Sequence, residues 1–191
     1  KAGQPVVTYV ARSLEPYRGF HTFLRALKRV QAQNSTCEAV IVGGDEVSYG
    51  RQPKLAKTWR EQLQQEVRLD PARTHFVGRL PYSDYVKVLQ ISAAHVYLTY
   101  PFVLSWSLLE AMACGCLIVG SDTAPVREVV RDGLNGRLRD FFDPVAIAEN
   151  VLEALERRAH MVPLREQARQ DMLGYGVEKG LARYEQVLAA T

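Results

Sequence analysis

The strongest constraint on the fold is a regular alternation of short apolar runs with longer stretches of helical periodicity. The runs are rich in β-branched residues, as buried strands are. They cover 6–11, 39–42, 75–77, 95–98 and 117–120, with a short sixth strand expected at 136–138. Helices are expected near 20–30, 55–68, 81–92, 125–131, 144–158, 162–173 and 177–189, and in the segment that ends at Gly115. This order predicts a doubly wound, Rossmann-like parallel sheet of about six strands, covered by helices on both faces.

Three helix boundaries are predicted from local signals. Leu55 opens a series of apolar residues at i, i+4 spacing, which favours a helix over the whole of 55–68. Ser83 or Asp84 is expected to cap the helix that follows Pro81. Asp143-Pro144 is a strong start signal, since Asp caps well and Pro suits the first helical position.

Length and charge narrow the class of protein. The 191 residues suit a single domain, 1–191, with a net charge of only +3. A dedicated nucleic-acid protein usually carries a concentrated basic stripe, so no nucleic-acid partner is expected. No apolar run reaches the roughly eighteen residues of a membrane span, and no signal-peptide core follows the first residues.

The three Cys and four His are sparse for a chain of this length. The Cys residues are expected to be reduced thiols of a cytoplasmic protein. A metal cluster is not expected, because the usual ligands are few and scattered.

Ligands of doubly wound sheets bind outside the carboxyl ends of the strands. Four loops follow strands at that edge: 12–19, 43–46, 78–81 and 99–106. These loops are therefore the places where binding residues are expected.

The first loop carries Arg12 and Arg18. Two guanidinium groups at a strand end can bind a diphosphate through charge-assisted hydrogen bonds. The alternative is that both are ordinary solvated surface cations. The loop lacks the G-x-G-x-x-G pattern of dinucleotide folds, and the chain has no G-x-x-x-x-G-K-[ST] phosphate loop.

The second and third loops give weaker signals. Gly43 and Gly44 lack side chains that would keep a ligand from the backbone. The turn Gly78-Arg79-Leu80-Pro81 is uninformative by itself.

The fourth loop leads into the helix that contains Glu110. The free N–H groups of a helix start suit phosphate, and a carboxylate there can accept hydrogen bonds from the two hydroxyls of a ribose. The sequence allows either of two residues to cap this helix. If Ser107 caps the helix, Ser107-Leu108-Leu109-Glu110 is a capping box and Glu110 is structural. If Ser105 caps it, Glu110 is left for a ligand.

Taken together, these segments resemble retaining, family-4-type glycosyltransferases. The stretch from Phe102 to Gly115 is similar to their E-x7-E-A-M-A-x-G motif, with Phe102 where the first Glu stands. Further similar segments, in chain order, are Tyr9-Val10-Ala11-Arg12, Arg18-Gly19, Val42-Gly43-Gly44-Asp45, Phe76-Val77-Gly78, Leu117-Ile118-Val119, Ser121-Asp122 and Asp132-Gly133-Leu134-Asn135-Gly136. The resemblance spans about 6–158.

The resemblance implies a fold and a set of roles. The chain would be the C-terminal, donor-binding half of a two-domain GT-B enzyme, and the helix at 177–189 would pack on the absent N-terminal acceptor domain. Arg12 and Arg18 would bind the diphosphate of a nucleotide sugar, and Glu110 its ribose. The remaining expected contacts are Gly43, Gly44, Gly78, Arg79 and Leu80 for the nucleotide, and Phe102, Val103, Leu104, Ser105 and Trp106 for the sugar and phosphate.

The resemblance also implies no metal or other cofactor, since cations of the protein neutralise the diphosphate. It places the protein in the cytoplasm or at the cytoplasmic face of the inner membrane, with membrane contact only through the absent half. Because Phe102 replaces a carboxylate, a variant subgroup with altered sugar contacts and a domain without activity both remain open. So do a GT-B-type epimerase or phosphorylase and a pure interaction module.

Overall fold

The computed structural model describes residues 3–101 and 103–189. Its centre is a parallel sheet of six strands in the order β3-β2-β1-β4-β5-β6. The strands are β1 (Val6–Ser13), β2 (Glu38–Gly44), β3 (Thr74–Gly78), β4 (Ser92–Tyr97), β5 (Ile118–Ser121) and β6 (Arg137–Arg139). The predicted doubly wound sheet is confirmed, including its short sixth strand.

Helices cover both faces of the sheet. They are α1 (Phe20–Gln33), α2 (Trp59–Glu66), α3 (Tyr82–Gln90), α4 (Trp106–Ala113), α5 (Ala124–Arg127), α6 (Pro144–Glu156), α7 (Arg158–Met172) and α8 (Val177–Ala189), with short 3-10 turns at Pro16–Arg18 and Leu173–Tyr175. Helices α1 and α6 pack together, as do α4 and α7. Neighbouring strand residues point to opposite faces, so Val96 joins the α1–α6 core and Tyr97 joins the α4–α7 core.

Helix α2 is shorter than its periodicity predicted. It begins at Trp59, because the Thr58 side chain accepts a hydrogen bond from Glu61 N at 3.1 Å and ends the preceding loop. Leu55 therefore lies in the loop and is 79% exposed. The apolar spacing corresponds to a helix only from Trp59 onward, where Leu63 is buried in the core.

The predicted cap of α3 was also wrong. Pro81 is the N-cap, and its carbonyl accepts hydrogen bonds from Asp84 N and Tyr85 N at 3.0 Å each. Ser83 and Asp84 thus lie in the first turn, where Asp84 suits the helix dipole.

The Asp143 cap of α6 is confirmed, with its carboxylate 2.9 Å from Val145 N. Two other helices differ in length, since α5 ends early and α7 begins early.

Helix α8 differs from the others. None of its residues is buried, and Val177, Leu181, Tyr184 and Leu188 form an exposed apolar stripe at helical spacing. Its contacts within the described residues are chiefly with the turn Leu173–Tyr175. In the ranges 3–101 and 103–189, no helix combines the length and the apolar content that crossing a bilayer requires.

Candidate ligand site at the carboxyl edge of the sheet

Arg18 is held at the carboxyl edge by both its backbone and its side chain. The Tyr9 hydroxyl donates to Arg18 O at 2.6 Å. Arg18 Nη1 donates to Thr99 Oγ1 at 3.1 Å and to Val103 O at 3.2 Å, which joins the loop after β1 to the loop after β4. The guanidinium also lies over the Tyr49 ring, 5.2 Å from its centre. A guanidinium fixed in this way is preorganised for an anion.

Arg12 lies near the end of β1 with an exposed side chain. Among the described residues, none forms a hydrogen bond or ion pair with its guanidinium. Arg12 therefore lies in β1 itself rather than in the predicted loop, because the strand continues to Ser13. The two arginines also differ in state: Arg18 is already fixed, whereas Arg12 can turn toward a bound anion.

A buried carboxylate that the sequence did not indicate organises the next loop. Glu15 is fully buried. Its Oε1 accepts from Ser48 N at 3.3 Å and Tyr49 N at 3.2 Å, and its Oε2 accepts from Gly50 N at 2.9 Å. These hydrogen bonds tie the loop after β2 to the loop after β1. They also place the Tyr49 ring against Arg18.

The predicted glycines occupy different surroundings. A Cβ on Gly43 would lie 2.5 Å from Ala11 O, so this glycine allows β2 to approach the end of β1. A Cβ on Gly44 would meet the flexible Glu46 carboxylate. Gly78 has φ 68° and open space around it, so it supplies a left-handed turn. Only Gly78 thus leaves its backbone open to a ligand.

The loop after β3 is joined to the loop after β2. Arg79 forms an ion pair with Glu46, and Asp45 pairs with Arg60 at 2.7 Å. Leu80 packs against the α4–α7 core and is partly buried. Arg79 is thus paired with a carboxylate that a bound anion would have to displace or accommodate.

Ser105, rather than Ser107, caps α4. Its Oγ accepts from Ser107 N at 3.4 Å and from Ser107 Oγ at 3.0 Å. Ser105 N donates to the Tyr97 hydroxyl at 2.8 Å, which fixes the loop end to strand β4. Trp106 is 80% exposed and Val103 is also exposed. Phe102 lies outside the described residues.

Because Ser105 is the cap, Glu110 is not part of a capping box. Its Oε2 accepts a hydrogen bond from the Tyr85 hydroxyl at 2.8 Å. Burial and the nearby Glu110 carboxylate raise the pKa of Tyr85 well above its usual value, so its hydroxyl remains a donor. The half-buried carboxylate is held against α3, whose first residues follow the 78–81 loop.

The structure joins some of the predicted residues and not others. Arg18 contacts Val103 directly. Arg79 and Glu110 are each joined to another residue, Glu46 and Tyr85 respectively, and the described residues give Arg12 no contact of this kind. Sequence reasoning missed Glu15, Tyr49 and Tyr85, whose roles depend on partners far along the chain. Among the described residues, no cluster of three or more His, Cys, Asp or Glu side chains is arranged to hold a metal ion.

The segment Asp132-Gly133-Leu134-Asn135-Gly136, one of those that resemble the family, has a structural role. The Asn135 side chain is buried, accepts from Arg131 N at 2.6 Å, and donates to Val129 O at 2.9 Å and Asp171 Oδ2 at 2.6 Å. It closes the turn before β6 and fastens it to α7.

Comparison with known proteins identifies the family of the chain. The family model described as "Glycosyl transferases group 1" matches residues 1–171. The chain belongs to this family. It has the fold of the C-terminal, Rossmann-like domain of a GT-B glycosyltransferase, as the sequence resemblance implied.

Curated relatives of this group 1 glycosyltransferase domain include two phosphatidyl-myo-inositol mannosyltransferases. That of Mycolicibacterium smegmatis is 30% identical over 155 residues, covering 78% of this chain and 36% of the relative. That of Mycobacterium leprae is 31% identical over 163 residues, covering 81% and 39%. The chain thus spans less than half the length of these relatives.

Solved structures show the same fold. Anabaena HepE, determined in complex with UDP-glucose, superposes with a TM-score of 0.84 at 21% identity, covering 100% of this chain and 50% of HepE. The C-terminal domain of a group 1 glycosyltransferase (LpcC) from Francisella tularensis has a TM-score of 0.75 at 18% identity, covering 91% and 89%. The second comparison is with a C-terminal domain alone.

Proposed function

We propose that this domain binds a nucleoside-diphosphate sugar as the donor half of a retaining glycosyltransferase, which transfers the sugar to a glycan, lipid or other acceptor. The observation that carries the proposal is Arg18, fixed by Thr99 and Val103 of the loop that leads into α4. A guanidinium beside a helix N-terminus is suited to a diphosphate. The UDP-glucose complex of HepE, which shares the fold, supports this choice of ligand.

The proposed chemistry depends on the departing diphosphate. Glycosyl transfer builds negative charge on that group, and Arg12, Arg18 and the N–H groups at the start of α4 stabilise it. Each charge-assisted hydrogen bond contributes about 1.5–3 kcal/mol, and each 1.4 kcal/mol or so that acts only in the transition state gives a tenfold rate. In this mechanism no metal is required. The diphosphate itself serves as the base for attack on the same face of the sugar, so no side chain is the nucleophile.

Glu110 is proposed to bind the ribose of the donor. The structure removes the capping box as a competing role, since Ser105 caps α4. The carboxylate is instead held by a phenol, which leaves lone pairs for the hydroxyls of a ribose.

The partner of this domain is proposed to be the N-terminal domain of the same protein. The chain covers only 36% and 39% of its curated relatives, so half of the proposed cleft lies outside it. The exposed apolar stripe of α8 supports such a partner, because an exposed stripe of this kind marks a contact surface. We expect no sugar transfer by residues 1–191 alone, and measurable transfer by this chain would contradict the need for a second domain.

A second candidate is a sugar-nucleotide-binding domain without catalytic activity. Phe102, at the position of the first Glu of the motif, favours it. Transfer activity of the full-length protein separates the two functions. If Phe102→Glu creates transfer in a full-length protein that otherwise has none, the non-catalytic function is correct.

Isothermal titration calorimetry of the domain with UDP, GDP and ADP tests the donor-domain proposal. Saturable heat with at least one of the three is expected. Arg29→Ala removes one positive charge at an exposed position on α1, away from the proposed site, and should bind the nucleotides as the wild type does. It is the control for any variant that removes a charge from the site. No heat with any nucleotide at moderate salt would overturn the proposal.

A further inference from the structure

The Glu110 carboxylate has a buried partner, Tyr85 of α3, which the sequence analysis assigned to no site. The Tyr85 hydroxyl donates to Glu110 Oε2 at 2.8 Å across 25 positions of the chain. Only 9% of Tyr85 is exposed, and its ring packs in the α4–α7 core with residues such as Leu89 and Met112. The position of the hydroxyl is therefore set by core packing.

This arrangement divides the two oxygens of Glu110. Oε2 is occupied by a donor whose ring cannot turn away without opening the core. The other donor near the carboxylate is the hydroxyl of Tyr82, an exposed side chain that a ligand can displace. The half-buried state of Glu110 leaves its remaining lone pairs within reach of a ligand. A carboxylate fixed through one oxygen has lost most of its side-chain freedom before any ligand binds, so less entropy is lost on binding.

The protonation states support the same geometry. Burial and the adjacent Glu110 carboxylate raise the pKa of Tyr85, so its hydroxyl stays protonated and donates throughout the working pH range. A carboxylate has no proton to donate, so the hydrogen bond runs from Tyr85 to Glu110 and not the other way. The carboxylate is thus presented to ligands as an acceptor alone. Vicinal hydroxyls, each of which can donate, are the matching chemistry.

We infer that Tyr85 is a positioning residue that makes this domain selective for ribonucleotides over 2′-deoxyribonucleotides, by fixing the Glu110 carboxylate toward the two hydroxyls of the ribose. The inference rests on the proposed donor function and names a determinant of its specificity. A 2′-deoxy ligand leaves one acceptor site of a fixed, partly desolvated carboxylate without a donor. A mobile carboxylate adapts to that loss, whereas a fixed one does not.

The test compares the tightest-binding of UDP, GDP and ADP with its 2′-deoxy counterpart by calorimetry. The wild type is expected to prefer the ribonucleotide by roughly tenfold, the value of one hydrogen bond to a charged group. Tyr85→Phe keeps the ring in the core and removes only the hydroxyl. It should weaken ribonucleotide binding by up to about tenfold and lower the ribo-to-deoxy preference at least about threefold. Glu110→Gln should remove most of the preference.

Tyr82→Phe is the matched control. Tyr82 lies on the same helix and its hydroxyl is a second hydrogen-bond donor toward Glu110, but its ring is exposed, so the core does not fix it. It should change the preference less than Tyr85→Phe does. A larger effect of Tyr82→Phe would overturn the assignment to Tyr85.

The outcomes separate two failures. If the wild type binds none of the three nucleotides, the donor function itself fails. If it binds with a preference that survives Tyr85→Phe, only the inference about Tyr85 fails. Equal weakening of both ligands by Tyr85→Phe would show a merely structural residue and would also overturn it, and circular dichroism confirms that each variant is folded.

Discussion

Polar groups at the carboxyl edge of the sheet are joined to buried partners, whereas the apolar stripe of α8 faces solvent along the described chain. Arg18 is bonded to the buried Thr99, and Glu110 to the buried Tyr85. No residue of α8 is buried. The difference indicates that the candidate site is preorganised within this domain, while α8 adds no buried residue to its core. Substitutions in the two regions test that contrast.

The largest effect is expected from removing a side chain beneath the site. Leu108 of α4 is fully buried, and Leu108→Ala should lower the free energy of unfolding by about 2–5 kcal/mol. Leu181 of α8 is 58% exposed, and Leu181→Ala should change it by no more than about 0.5 kcal/mol. Urea denaturation of both variants provides the measurement. Similar losses would show that α8 is packed as the site is.

Acid should weaken the sheet through His95. Burial lowers the pKa of His95 to about 4, from 6.5. Its Nδ1 is bonded to Thr8 Oγ1 at 2.8 Å, and its Nε2 has no partner among the described residues. At a pH between about 4 and 6.5, the unfolded chain therefore takes up a proton at His95 that the folded chain does not. Stability should therefore fall as pH drops through this window, by roughly 3 kcal/mol.

Thermal denaturation at steps between pH 7 and pH 4 measures this slope. His95→Gln has no titrating group and should show a shallower dependence. Part of the slope should remain, because burial also lowers the pKa of His21 to about 4. An unchanged slope would show that His95 is not a source of the acid sensitivity.

Substitution of the two arginines should weaken diphosphate binding to a similar extent but should affect stability differently. Arg18→Met and Arg12→Ala should each weaken nucleoside-diphosphate binding by roughly 10- to 100-fold, equivalent to about 1.5–3 kcal/mol. Neither should affect the free nucleoside to the same extent. Arg18→Met should also reduce stability slightly, because Thr99 and Val103 lose a donor. If Arg12→Ala weakened nucleoside and diphosphate binding equally, Arg12 would not be a phosphate ligand.

A smaller loss is expected where the loops are joined. Glu15→Gln removes one of the two carboxylate oxygens that accept from Ser48, Tyr49 and Gly50. The predicted cost is about 1–3 kcal/mol, with faster proteolysis in the loop after β2. Glu156→Gln, an exposed position at the end of α6, is the control. Equal protease sensitivity of the two variants would contradict the role of Glu15.

The smallest effect should follow removal of α8. A chain that ends at Gly176 is expected to keep its stability within about 0.5 kcal/mol and its nucleotide affinity within about twofold. The same truncation in the full-length protein should lower stability, if α8 packs on the second domain. A large loss in the isolated domain would show that α8 belongs to its own core.

The fold was predictable because its signals are local. Strands buried on both faces are nearly all apolar, and the Asp143-Pro144 start of α6 depends on neighbouring residues alone. The start of α2 was missed because Leu55 matches the helical spacing, while the Thr58 cap starts the helix only after it, at Trp59. Pro81 was missed as a cap because its carbonyl, rather than a side chain, accepts the hydrogen bonds.

The candidate site was predictable in its location and less so in its construction. The carboxyl-edge rule and the motif resemblance named Arg12, Arg18 and Glu110, whose binding roles remain predictions. The sequence did not indicate Glu15 or Tyr85, since a buried Glu next to a Pro and a Tyr inside a helix look ordinary. Their partners lie 33–35 and 25 positions away, and only the folded chain brings them together.

The anchors at the two ends of the loop after β4 have a consequence for how such a protein diversifies. Thr99 N donates to Ser121 Oγ at 3.1 Å, and Ser105 N donates to the Tyr97 hydroxyl at 2.8 Å. The segment between them is clamped at both ends, so its residues can be exchanged while the helix carrying Glu110 stays in place. Under the proposed donor function, side chains of this loop can therefore vary without displacing the Glu110 carboxylate.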